Sequence, residues 1–129
     1  MMDRSSISAS PACGAGGRFR AVDHSLALSR VGGDLELLQE IARLFLTDAP
    51  HMLNAIRTAI RAGDAHALER SAHAFKGCIA NFGAKAATEI AFSLEQMGRN
   101  RDLSRAAETF ARLQAEQEAV ETELQQVIA

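Results

Sequence analysis

Apolar residues recur every three or four positions from about residue 23 to the end of the chain, and this spacing predicts a series of amphipathic helices. The last of them is the most regular, with a single polar interruption at Gln117. Its apolar positions are Leu103, Ala106, Phe110, Leu113, Val120, Leu124 and Val127. An earlier helix has the same alternation of spacings, at Leu68, Ala72, Phe75, Ile79 and Phe82. No segment has the alternating pattern that indicates a strand.

Aspartate, glycine and proline residues mark the predicted ends of the first two helices. Asp23 is placed to cap a short helix that Gly32 and its neighbour close, and Asp34 caps a much longer one. Pro50 lies inside the longer helix, where it removes a backbone donor and crowds the preceding turn. We therefore expect a bent helix that ends at residues 62–63.

Three further helices complete the predicted fold. Asp64 caps the first, which ends near Gly83; the next covers about residues 84–97, before a turn at 98–100. Short connections between long helices favour antiparallel neighbours. We predict an all-α domain over residues 21–129, an antiparallel up-down-up-down four-helix bundle with a short additional N-terminal helix. Residues 1–20 are rich in Ser, Gly and Ala and predict a disordered lead or linker.

Composition narrows the classes of function. With 14 Lys+Arg against 16 Asp+Glu and neither Trp nor Tyr, the chain has no basic stripe and few groups for stacking on bases, so we expect no nucleic-acid binding. Cys13 and Cys78 do not form a disulfide framework. No apolar run is long enough to span a membrane, and the first 20 residues lack a signal-peptide core. We expect a cytoplasmic protein.

His73 is the first residue of the motif that is most informative about function. Lys76 and Gly77 follow three and four residues later, so all three share one helix face. At about 100° per residue, His73 points roughly 200° away from the core residue Phe75, towards solvent. An exposed imidazole is a good nucleophile near neutral pH, and a nearby cation can neutralise phosphoryl oxygens. Gly77 and Ala80 leave room for a partner, so the pattern favours a phosphoryl acceptor.

The second imidazole nitrogen needs a hydrogen bond that fixes the tautomer and the direction of the ring. If the chain reverses at residues 82–83, His73 lies opposite residue 92 or 93. The polar residues near that level are Ser93, Glu95 and Gln96. Glu95 and Gln96 are the best candidates, and geometry alone does not separate them.

These residues resemble the motif of the histidine-containing phosphotransfer (HPt) family, a family of four-helix bundles with an exposed histidine. The motif stands here as Ala72-His73-Ala74-Phe75-Lys76-Gly77, followed by Gly83-Ala84. Phe75 occupies a core position where leucine is commoner in the family. The likeness continues at Leu94-Glu95 and covers about residues 22–127.

The resemblance implies that His73 is the phosphoacceptor, Lys76 the nearby cation and Glu95 a possible partner of the imidazole. Such domains do not bind ATP. They take a phosphoryl group from the aspartate of a response-regulator receiver domain, which brings Mg²⁺, and pass it to another receiver. We therefore expect a monomeric phosphocarrier without kinase activity or a cofactor of its own. Its partners would be receiver domains and a histidine kinase or hybrid kinase, and its docking surface would include Glu69, Arg70, Gly77 and Ala80.

Three other interpretations start from the same residues. In the phosphoacceptor helices of a sensor histidine kinase the residue after the histidine is typically acidic, and here it is Ala74. His66, Glu69 and His73 have a spacing that could supply metal ligands, but metal sites in bundles usually point inward. A helical adaptor or kinase inhibitor would leave His73 unphosphorylated, and it would have no need of the lysine and glycine beside it.

Overall fold

The computed structural model describes residues 20–129, so the predicted lead at residues 1–20 lies outside it except for Arg20. The described residues form five helices and no strand. They are α1 (His24–Arg30), α2 (Leu35–Ala62), α3 (Ala65–Ala80), α4 (Lys85–Arg99) and α5 (Ala106–Ile128). Each of the four long helices packs against its neighbours in the chain, α2 and α5 close the ring, and α1 packs on α2. The predicted all-α four-helix bundle with a short extra helix is confirmed.

Aspartate side chains fix the starts of the first three helices. Asp23, Asp34 and Asp64 each accept a hydrogen bond from the backbone N–H three residues further on, at 3.0, 3.1 and 3.0 Å. Each bond satisfies a donor that the beginning of a helix leaves without a partner. The second helix continues through Pro50 as one element and ends at Gly63, whose φ of 65° is left-handed. The predicted end of this helix is therefore confirmed.

Three phenylalanines join α2 to α3 and to the turn that follows α3. The ring of Phe45 lies 6.0 Å from that of Phe75 and 5.3 Å from that of Phe82, measured between centroids, and all three side chains are buried. Burying a side chain of this size contributes about 1.5–3 kcal/mol. The whole apolar stripe predicted on α3 is buried, and so is the polar Gln117 of α5. The core therefore holds the face of α3 opposite His73.

The connection between α3 and α4 is a tight turn that also receives α1. Gly83 has a φ of 64°, and Asp23 N–H donates to the carbonyl oxygen of Phe82 at 3.0 Å. At its far end, α4 runs through Arg99, so the predicted turn at 98–100 is wrong for Gly98 and Arg99. The glycine there serves a contact with α3 and does not end the helix.

Two glycines with the same backbone conformation provide a matched test of how α1 is held. Alanine at Gly63 or Gly83 would pay about 1–2 kcal/mol for the left-handed conformation. A Cβ at Gly63 meets nothing within 4 Å, whereas one at Gly83 lies 2.6 Å from Asp23 Cβ. We expect Gly83→Ala to lower the free energy of unfolding by a further 1–3 kcal/mol, roughly, in urea titrations. Equal losses in the two variants would contradict a tight contact between α1 and the turn.

Candidate functional site

His73 lies midway along α3 on the side away from the core. Its side chain is 68% exposed, while its neighbours Ala72 and Phe75 are buried. The core packing of α3 thus fixes the helix and leaves the imidazole in solvent, as the spacing of the apolar residues predicts.

Glu95 reaches the imidazole from α4. Its carboxylate is only 3% exposed, and Oε2 lies 2.9 Å from His73 Nδ1. The other oxygen, Oε1, lies 2.7 Å from Lys76 Nζ. This second contact is an ion pair between a buried carboxylate oxygen and the ammonium of the lysine. One buried carboxylate therefore joins the histidine to the lysine of the motif.

The pKa of Glu95 reflects two opposed effects. Burial, the largest single effect, raises the pKa of this carboxyl, but the ammonium of Lys76 and the imidazole of His73 lower it by more. The net result is a pKa below the ordinary value for glutamate, so Glu95 is ionised near neutral pH.

An ionised carboxylate can only accept hydrogen bonds, so the proton between His73 and Glu95 belongs to Nδ1. In the neutral imidazole, Nε2 then carries the lone pair. The carboxylate thereby sets both the tautomer and the direction of the ring, and the nitrogen without a proton is the one that Glu95 does not contact.

Of the two candidate partners left open by the sequence, Glu95 contacts the imidazole, and Gln96 lies half-buried beside it on α4. Simple antiparallel counting puts residue 92 opposite His73, one turn away from Glu95. Side chains in a helix lean towards its N-terminus. His73 leans towards the level of Glu95, and Glu95 leans back towards His73, so the two side chains close the gap.

Lys76 is held on two sides. Besides its ion pair with Glu95, its ammonium lies 5.0 Å from the centroid of the Phe92 ring. The lysine side chain is consequently only 25% exposed, although its position on the helix faces solvent. A cation in contact with an aromatic face gains about 0.5–1 kcal/mol at exposed sites. Lys76 is thus fixed next to the imidazole.

Arg99 extends the network. Its Nη2 lies 3.4 Å from Glu95 Oε2, and its Nε donates to Glu69 Oε2 at 3.0 Å. Arg70 is exposed and, with Arg99, borders a shallow depression of about 370 Å³ beside His73. Two basic side chains thus stand at the edge of the exposed imidazole.

The remaining residues expected at a docking surface lie further along α3. Gly77 is exposed, and a Cβ there would meet nothing within 4 Å, so the surface next to Lys76 is low. Ala80, one turn later, is half-buried. The sequence analysis missed Phe92 and Arg99. The signal for Arg99 was its place four residues after Glu95, where helical side chains meet.

The structure also bears on the metal-binding interpretation. Within residues 20–129, no three histidine, cysteine, aspartate or glutamate side chains are grouped to hold a metal ion. Glu69, which the metal interpretation needs beside His66 and His73, is paired with Arg99 instead.

Over residues 20–129, no helix is both long and apolar enough to cross a membrane.

Comparisons with known proteins bear on the site. The model of the Hpt domain family matches residues 40–129, a stretch that contains the histidine, the lysine and the glutamate described above. The chain is also similar to the solved structure of histidine-containing phosphotransfer protein B (HptB) from Pseudomonas aeruginosa PAO1. The TM-score is 0.77 at 27% sequence identity, over 82% of this chain and 92% of that one. No curated protein sequence matches the chain.

The lowered pKa of Glu95 gives its contribution to stability a definite pH dependence. Because the carboxyl binds its proton more weakly when folded, the contribution is present above the unfolded value of about 4.3 and is lost as the pH falls through the folded value. We expect Glu95→Gln to lower the free energy of unfolding near neutral pH by about 1–3 kcal/mol. The loss should vanish below the folded pKa, where the native side chain is also neutral.

Urea titrations between about pH 7 and pH 3 test this expectation. Glu89→Gln is the matched control, since it removes the same charge from an exposed position of α4. That control should change stability little at any pH. A Glu95→Gln loss that stays constant across the range would contradict a lowered pKa for the carboxyl.

Proposed function

The chain belongs to the Hpt domain family, whose members act in histidine phosphotransfer within two-component signalling, and we propose that it relays a phosphoryl group between the aspartates of receiver domains. In this proposal phospho-His73 is the intermediate, and the donors and acceptors are response regulators or the receiver domains of hybrid kinases. The chain is a phosphocarrier and not a kinase, and the receiver supplies Mg²⁺.

One observation carries the proposal: an exposed imidazole has its Nδ1 held at 2.9 Å by a buried carboxylate. An adaptor has no use for this arrangement, since it needs neither a fixed tautomer nor a nitrogen lone pair in solvent. A phosphoryl acceptor needs both. Transfer of a phosphoryl group depends mainly on positioning and on neutralising the equatorial oxygens.

The proposed reaction is a displacement at phosphorus. The lone pair of His73 Nε2 forms the N–P bond while the bond between phosphorus and the aspartyl oxygen breaks, and that oxygen leaves as the receiver's carboxylate. Nδ1 keeps its proton throughout. The charge of Glu95 stabilises the positive charge that develops on the ring, and Lys76, which contacts the same carboxylate, attracts the phosphoryl oxygens. A second receiver takes the group by the reverse reaction.

The proposed docking surface surrounds His73. Gly77 and Ala80 keep the surface low, so that a receiver can bring its aspartyl phosphate to the imidazole. Arg70 and Glu69 supply charge at the edge of the same surface. A phosphoryl group on a receiver is negatively charged, so the basic side chains beside His73 are complementary to it.

The direct test is transfer from aspartyl-phosphorylated receivers with Mg²⁺, followed by intact mass. We expect a gain of one phosphoryl group that is labile in acid, stable in base and absent from His73→Gln. Because the side chain is 68% exposed, this variant should keep the helical content of the wild type. His51→Gln is the matched control, since it removes an exposed histidine from α2 and should leave transfer unchanged.

Two results would count against the proposal. An adduct that persists in His73→Gln would move the acceptor to another residue. A folded wild-type chain that gains nothing from the complete set of receivers of its own cell would favour the adaptor or kinase-inhibitor interpretation.

Gly77 gives a second test, because access and stability change in opposite directions there. A side chain at this position points into open space, and glycine costs about 1 kcal/mol relative to a good helix former. We expect Gly77→Leu to be as stable as the wild type or up to about 1 kcal/mol more stable. Its affinity for a receiver should nevertheless fall by at least about tenfold, or 1.4 kcal/mol, in titration calorimetry. Unchanged affinity would remove Gly77 from the docking surface.

A further inference from the structure

Gly98 lies where the backbone of α4 rests directly on that of α3. A Cβ at this position would be 2.6 Å from the carbonyl oxygen of Ala65, 2.6 Å from the backbone nitrogen of Glu69 and 2.9 Å from its Cα. Ordinary van der Waals contact of a Cβ begins at 3.4 Å. All three atoms are backbone, so no change of rotamer can relieve the overlap.

The close contact explains why glycine occupies this position. Gly98 is buried inside α4 and has a helical backbone, so it is not needed for a left-handed conformation. An interior glycine costs about 1 kcal/mol relative to alanine. Gly77, the other glycine within the five described helices, has open space where its side chain would be. The absent methyl at Gly98 instead permits the approach of two helices.

The site lies one turn away on the same face of α4. Glu95, three residues before Gly98, crosses from α4 to reach His73 at 2.9 Å and Lys76 at 2.7 Å on α3. Arg99 also spans the two helices, since it contacts Glu69 and Glu95. The contacts of Glu95 with His73 and Lys76, and that of Arg99 with Glu69, all depend on the separation of α3 and α4.

We propose that Gly98 is a positioning residue for the phosphoacceptor: its missing side chain sets the α3–α4 separation at which Glu95 reaches the imidazole. A methyl group there would push the helices apart by up to about 0.8 Å if the contact is restored to 3.4 Å. The bond between Glu95 and His73 would then exceed the usual hydrogen-bond range. An effect of Gly98 on the rate of transfer rests on the proposed phosphotransfer function, whereas an effect on the tautomer of His73 does not.

Gly98→Ala in the full chain tests the inference at two levels. Histidine-selective ¹⁵N NMR reports the tautomer of His73 without any partner. We expect one tautomer, protonated at Nδ1, in the wild type and a mixture of both in Gly98→Ala. With a phosphorylated receiver at saturating concentration, the transfer rate should fall by roughly 10- to 100-fold, since a displacement of about 1 Å can cost that much. Receiver affinity should change little.

Controls separate positioning from stability. Leu124→Ala removes a buried side chain of α5 and lowers Tm while leaving the contact at Gly98 in place. It should keep the single tautomer and the wild-type transfer rate. All variants are also measured in trimethylamine N-oxide, which stabilises folded states, so that Gly98→Ala is compared as a folded protein. Glu95→Asp withdraws the carboxylate by one methylene without changing the helix contact, and it should reproduce the tautomer mixture.

A folded Gly98→Ala chain with a lower Tm but a single His73 tautomer would overturn the inference, because Gly98 would then serve stability alone. A single His73 tautomer in Glu95→Asp would also overturn it, because the distance between the carboxylate and the imidazole would then not determine the tautomer. A wild-type chain that accepts no phosphoryl group would instead contradict the proposed function, and the tautomer comparison would still decide the role of Gly98.

Discussion

The candidate site depends on one buried carboxylate that stays ionised. Removing a charge from water is costly, and Glu95 bears that cost only because basic groups surround it. In return it fixes the imidazole of His73 through one oxygen and the ammonium of Lys76 through the other. Two side chains on successive turns of α3 are thereby oriented by a single group from α4.

This arrangement needs the bundle around it. The phenylalanine cluster of α2, α3 and the turn after α3 holds the inner face of α3, so that His73 cannot rotate into the core. The close backbone contact at Gly98 holds α4 against α3 at the height of the site. The same helices, α3 and α4, therefore both bury apolar side chains in the core and orient the polar groups of the site.

Much of the fold follows from patterns in the sequence. The spacing of three and four, the capping aspartates and the left-handed glycines give the helices and most of their ends. The same spacing places His73 outside the core, and counting along the hairpin reaches Glu95 and Gln96. Counting alone could not choose between them, because these adjacent residues leave α4 in different directions and only the structure shows that Glu95 meets His73. Gly98 resembles a turn residue in the sequence. A glycine that allows another backbone to approach and a glycine that ends a helix cannot be told apart from residue type alone.

The network around His73 is also balanced in charge. Two carboxylates, Glu69 and Glu95, face two cations, Lys76 and Arg99, so their formal sum is zero. A phosphoryl group on the imidazole would add a charge of about −1.5 to −2 to this neutral set. Lys76 and Arg99 would each have to loosen a contact with a carboxylate in order to turn towards it. Taking up the group would thus cost contacts of Glu69 or Glu95, and these contacts would be regained when the group leaves.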